Sequence, residues 1–227
     1  MPHCHLLPFN KSPYADLHCP MRTDQRLYDA ITPESKDYTV RFYTWPHTTL
    51  SIGRFQRLNS ELEQRLRDQG ISWVRRPTGG QAILHQGDLT FSIVGPLHPE
   101  HQHHLLETYH SIAQGLTQGL QQVGIHAETV LNPDAAAPQS ASCYASRSQA
   151  DLQVHGKKLI GCAQVRRRRA FLQQGVIYRQ APHQLHQQLF GEAMPVIDLA
   201  TLCAEAPPIE ELAHVLGQSL QSHLAAS

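Results

Sequence analysis

Strand-like and helix-like stretches in this chain come in clusters, with no steady strand–helix alternation. A doubly wound parallel sheet needs that alternation; a chain that segregates its helices from its strands does not show it. Residues 38–45 are rich in β-branched and aromatic side chains and read as a strand, and residues 49–52 read as a second one, ended by Gly53. A helical run begins at Ser60 as the capping residue, carries Leu62 and Leu66, and closes at Gly70. Strand character returns over 72–75 and 89–94. Leu105, Leu106, Tyr109, Ile112, Leu116, Leu120 and Val123 then recur at helical spacing before Gly124. Residues 132–142 are small and polar, with two prolines and an alanine run, and read as a loop. Short alternating segments follow over 151–155, 159–163 and 168–178. Pro207 and Pro208 introduce an amphipathic helix with Ile209, Leu212, Val215, Leu216 and Leu220. This order implies an α+β fold, a mixed and largely antiparallel sheet with helices packed on one side.

Composition narrows the class of function. The 19 basic and 19 acidic residues cancel, which argues against bulk attraction to nucleic acid or to an anionic membrane. With 41% hydrophobic and 17% charged residues in 227, the chain can bury a substantial core and does not read as intrinsically disordered. No apolar run approaches the roughly 20 residues of a membrane helix. Leu6, Leu7 and Phe9, interrupted by Pro8, are too short and polar a stretch for a signal peptide. Five cysteines, odd in number, widely spread and without a CxxC pair, argue against a zinc ribbon, a thioredoxin-like site and a disulfide scaffold. The expectation is a cytoplasmic protein with free thiols.

Three segments could carry chemistry. The first is Arg75-Arg76-Pro77-Thr78-Gly79-Gly80-Gln81-Ala82-Ile83-Leu84-His85, between two strands. Paired glycines let the backbone approach a ligand closely and turn amide N–H groups toward it. Arg76 would then hold a carbonyl, carboxylate or phosphate, and Ile83 with Leu84 would supply an apolar wall. A tight strand-to-strand turn with solvated arginines fits the same residues. No Gly-Lys-Ser/Thr follows, so this is not a Walker phosphate loop. The second segment, Gly156-Lys157-Lys158-Leu159-Ile160-Gly161-Cys162-Ala163-Gln164, would place one ammonium inward. Alternation sends Lys157 and Lys158 to opposite sides without saying which is which. The third is Cys143, after the small-residue loop. A free cysteine is more often an inert buried hydrophobe, and a functional one needs a cation to favour its thiolate. His98, His101, His103 and His104 crowd the region before a helix, and no metal is expected there. The run Arg166–Arg169 reads as a solvated turn or as a surface for an acidic protein.

Taken together, residues 40–56, 73–94 and 142–178 resemble the biotin/lipoate protein ligase catalytic-domain superfamily. Within it they are most similar to the cysteine-dependent octanoyltransferases of the LipM type that serve lipoate synthesis. The resemblance implies a single catalytic domain over 1–227, with a mixed sheet and helices around an acyl-binding tunnel. It implies acyl transfer from octanoyl-acyl carrier protein to a lysine of a lipoyl domain, such as glycine cleavage H protein. Neither cofactor nor metal is implied, and a monomer is expected. Carried across by residue, Cys143 matches the nucleophile and acyl-thioester site. Lys158, fifteen positions later, matches the lysine read as lowering the cysteine pKa. Arg76 and the run Gln81, Ala82, Ile83 and Leu84 match pocket-lining positions; Gly79, Gly80, His85 and Gly161 complete the candidate substrate-binding set.

ATP-dependent lipoate ligases are the main alternative. Their loop carries a third glycine where this chain has Gln81, they generally lack the cysteine, and they commonly need a C-terminal accessory domain. About fifty residues follow Tyr178, too few for one. A non-catalytic member that binds acyl groups or carriers is a further alternative. The chain departs from the subgroup at Cys162, where a serine is usual, at Gln174, where a histidine is frequent, and over residues 144–150.

Overall fold

The structure is a computed structural model and describes residues 2–14, 19–97, 105–129, 151–167 and 169–226. In chain order, the first elements are β1 (Cys4–Leu6), α1 (Pro20–Asp29), β2 (Tyr38–Tyr43), β3 (Thr49–Ile52), α2 (Ser60–Asp68), β4 (Ser72–Arg75), β5 (Ile83–His85) and β6 (Asp88–Pro96). They are followed by α3 (Leu105–Gln122), β7 (Glu128–Thr129), β8 (Leu152–Val154), β9 (Lys157–Arg167), β10 (Ala170–Tyr178), α4 (His183–Phe190), α5 (Leu199–Leu202) and α6 (Ile209–Ala226).

Seven strands form the larger sheet, in the order β1-β2-β6-β10-β9-β8-β7. Among the described residues, only the β1–β2 pair in it is parallel. A smaller sheet, β4-β3-β5, pairs β3 in parallel with β4 and antiparallel with β5. The fold is therefore α+β with a mixed, largely antiparallel sheet.

Strand alternation divides the residues of the central strands between two faces. Phe91 and Ile93 of β6 and Phe171 and Ile177 of β10 point into one apolar core. There α3 and α6 cover them with Ile112, Leu116, Leu120, Leu212, Leu216 and Leu220. The opposite face carries Val94, Leu172, Val176 and Tyr178. α1 covers one end of it, where Tyr28 meets Val94 and Leu172. The smaller sheet covers the other end, where Ile83 meets Val176 and Tyr178. Helices thus lie on both sides of the sheet, against the expectation of one side, because the second face also carries apolar residues that need a cover. α2 and α4 back the smaller sheet through Leu62, Leu66 and Leu189 against Leu50, Ile52 and Leu84.

Two local features set the site. The cap of α2 lies one residue before the expected one: extended Asn59 accepts the Leu62 amide at 2.8 Å. The β8–β9 turn has positive φ at both His155 and Gly156, as a two-residue hairpin requires, and it delivers Lys157 and Lys158 to opposite environments. Among the described residues, no helix is long and apolar enough to cross a membrane.

Candidate active site

The double-glycine loop is seated on the end of β3. Gly80 has φ +86°, and a Cβ on Gly53 would lie 1.8 Å from the Gly80 carbonyl oxygen, so only glycine fits at position 53. Arg76 is buried and braces the loop from inside. Its Nε and Nη2 donate to the Gly79 carbonyl at 3.1 and 2.7 Å, and Nη2 also donates to the Gln81 carbonyl at 2.7 Å. Nη1 reaches the Ser51 carbonyl at 3.1 Å and Ser51 Oγ at 3.3 Å. Five donors in a rigid fork suit this task, which a lysine could not perform.

Of the two hairpin lysines, Lys157 is exposed and Lys158 is buried. Lys158 Nζ lies 2.9 Å from Asp151 Oδ2, and both side chains are almost wholly inaccessible. The other oxygen of Asp151 accepts the Cys162 amide at 3.0 Å. One carboxylate therefore fixes the ammonium and the neighbouring strand backbone together. A Cβ on Gly161 would meet Lys158 Cδ at 3.6 Å, so the lysine stem runs over Gly161.

Around these segments lies a connected set of buried polar groups. Asp24 of α1 receives Arg41 Nη1, Tyr43 OH at 2.8 Å, Ser92 Oγ at 2.7 Å and Gln174 Nε2 at 2.7 Å. Burial, followed by the Asp24 charge, holds the Tyr43 hydroxyl well above the usual phenol range, so it stays a donor. The Gln174 carbonyl oxygen accepts Thr78 Oγ1 at 2.8 Å, which links α1 to the double-glycine loop. His85 Nδ1 is 2.9 Å from Asp88 Oδ2, and Nε2 is 2.8 Å from Ser51 Oγ. Its ring stacks on Trp45 with centroids 4.2 Å apart. These two contacts and the stack fix the orientation of the ring.

A narrow cavity of about 20 Å³ lies between the two sheets, and its lining includes Met21, Arg76, Thr78, Ile83, His85, Gly161, Gln174 and Val176. The two structured segments singled out in the sequence therefore meet at one place. Within the first, alternation separates the residues. Ile83 and His85 line the cavity, whereas Ala82 and Leu84 turn into the core beside Leu50 and Ile52, and Gln81 is exposed. Cys162 also lines the cavity and packs against the main core. Cys143, His98, His101, His103 and His104 lie outside the described residues. Among the described residues, no cluster of three or more potential metal ligands occurs. Sequence reasoning passed over Asp24, Ser51, Asp88 and Asp151. Only Asp88 left a local signal, three positions after His85; the others become partners through space.

Residues 16–221 match the lipoyl protein ligase A/B catalytic-domain family. The chain belongs to that family. The octanoyltransferase LipM of Carboxydothermus hydrogenoformans is 44% identical over 159 residues, covering 69% of this chain and 59% of its own length. That of Geobacillus kaustophilus is 36% identical over 185 residues, covering 76% and 66%. The matched part thus spans 59% to 66% of these curated relatives. Among solved structures, a lipoate-protein ligase A bound with ATP superposes with a TM-score of 0.78 at 19% identity, over 98% of this chain and 86% of that one. The bipartite lipoate protein ligase of Thermoplasma acidophilum gives 0.72 at 18% identity, over 99% and 85%. At such identities the likeness establishes the ligase A/B catalytic-domain fold alone.

Proposed function

We propose that this chain is an octanoyltransferase that moves an octanoyl group from acyl carrier protein, through a thioester on Cys143, to a lysine of a lipoyl domain such as that of glycine cleavage H protein. The observation that carries this is its 35–44% identity to curated octanoyltransferases, in a chain with a cysteine fifteen positions before Lys158. In the first half-reaction the Cys143 thiolate attacks the donor thioester, and the carrier thiol leaves. In the second, the acceptor amine attacks octanoyl-Cys143, an amide forms, the thiolate leaves, and the amine gives up a proton. No ATP enters either step.

The Lys158–Asp151 pair supports a particular role for the lysine. Because Asp151 compensates its charge, Lys158 acts through N–H donors aimed at a developing oxyanion more than through net charge on the thiol. The cavity between the sheets is the proposed entry for the acyl chain. At about 20 Å³ it has room for little more than a water. The octanoyl chain would enter by displacing side chains, with Met21 the most adaptable of them. ATP-dependent lipoate ligation draws support from the family match and from fold likeness, neither of which selects the activity, whereas the curated relatives are octanoyltransferases.

The test is to incubate the protein with octanoyl-acyl carrier protein in the absence of ATP and take intact masses. A single octanoyl adduct is expected on the wild-type chain and none on Cys143→Ala. Lys158→Ala should slow adduct formation on the order of 10²-fold. A folded wild-type protein that never acquires the adduct would overturn the covalent mechanism.

A further inference from the structure

A groove of about 510 Å³ opens beside the cavity, and six arginines line it. They come from distant parts of the chain: Arg22 from α1, Arg54 from the segment after β3, Arg75 and Arg76 from β4 and the loop behind it, and Arg166 and Arg167 from the end of β9. The groove and the cavity share Met21 and Arg76 in their walls, so one leads to the other.

The charge in it is concentrated and only partly compensated. Arg167 pairs with Asp29 at 2.8 Å. Arg75 donates to the backbone carbonyls of Gly53, Arg54 and Gln56, which hold its position and leave its charge unneutralised. Among the described residues, Arg22, Arg54 and Arg75 make no ion pair. Burial also pulls the Arg166 guanidinium below its usual range, a cost that an approaching anion would relieve. In a chain whose formal net charge is zero, six arginines at one groove are a segregation of charge that a random surface does not need. Next to Arg54 in the chain, Phe55 is 85% exposed, with the Arg54 guanidinium 5.4 Å over its ring. Arginine with an exposed aromatic is the composition of a protein-docking anchor.

We propose that this groove docks the acidic acyl carrier protein that presents the octanoyl thioester, an inference that rests on the octanoyltransferase reading. The chemistry favours the donor over the acceptor. A carrier protein brings acidic helices and an arm attached through a phosphodiester, both matched to guanidinium groups. The acceptor must bring a lysine ammonium, which six arginines would repel.

The experiment is a titration of fluorescently labelled holo-acyl carrier protein with the full chain, read by anisotropy. Arg22→Glu/Arg54→Glu is compared with the wild type and with Lys11→Glu/Lys36→Glu, an equal change of charge outside the groove lining. Thermal unfolding checks that each variant folds. The groove variant is expected to bind at least tenfold more weakly, the control variant as the wild type does, and wild-type affinity to fall as salt rises. Equal weakening in both variants, or in neither, would overturn the proposal. So would weaker binding of an apo-lipoyl domain or of ATP in the groove variant with carrier binding unchanged, which would assign the groove to the acceptor or to a nucleotide. Because binding is read without any acyl transfer, failure here is distinguishable from failure of the cysteine mechanism, which the mass measurement reports.

Discussion

The two faces of the central strands β6 and β10 contrast sharply. On the side of α3 and α6 the contacts are apolar, from Phe91, Ile93, Phe171 and Ile177 outward. On the other, Thr90, Ser92 and Gln174 join a buried polar network with Asp24, Arg41, His85 and Asp88. Both faces are closed to water. An apolar face gains from burial alone, whereas each polar group must find a partner or lose the hydration it had. The polar face is thus the more demanding one to build, and it is the face that borders the cavity and the arginine groove. Burial alone holds one side of the sheet, and the candidate chemistry lies on the other, where matched polar partners are needed as well.

Breaking the polar face should have the largest effect. Asp24→Ala would leave the Arg41 guanidinium buried beside the orphaned Tyr43, Ser92 and Gln174 groups; a loss of roughly 3–5 kcal/mol is expected in urea unfolding, together with loss of acyl transfer. Leu116→Ala on the apolar face should cost about 3 kcal/mol by the same measurement. There, transfer by the folded fraction should be unchanged; a comparable drop in turnover would show that the two faces are not separable. Thr78→Val removes the 2.8 Å hydrogen bond to Gln174 and should cost about 1 kcal/mol. Its sharper signature would be a change in acyl-length preference, because Gln174 lines the cavity. The smallest effect concerns pH and His186 in α4. Burial lowers its pKa from the ordinary 6.5, partly opposed by the Glu192 carbonyl at 3.1 Å. The fold holds it neutral, so its contribution is complete above the unfolded value and declines as pH falls through 6.5 toward the folded one. The urea midpoint should drop between pH 7.5 and 5.5, and less so in His186→Gln.

The elements with strong periodicity were legible beforehand: β2, β3, β6 and β10, and the helices α2, α3 and α6. α1 was not, because its buried side includes Thr23 and Asp24, which look like surface residues until Arg41, Tyr43, Ser92 and Gln174 surround the carboxylate. β5 has three residues and exists only as a partner of β3, too short for alternation to register. Asn59 and Ser60 are both good caps, and only the backbone geometry at Asn59 decided between them. At the site, the glycine pair and the two lysines were visible as residue types; the tasks of Arg76 and Gln174 were not.

Sequence by itself determined the class of architecture, the family resemblance and the candidate residues for acyl chemistry. These follow from order along the chain: period-two and helical spacing, glycine where a turn needs it, a cysteine and a lysine at a fixed separation. Tertiary structure decided that Asp151 compensates Lys158, that Arg76 faces carbonyls inside its own loop, and that arginines from four separate segments share one groove. Charge compensation and hydrogen bonding depend on distance through space. For residues as far apart as Arg22 and Arg166, that distance is set only when β10 has paired with β6 and β9 and α1 has packed across them.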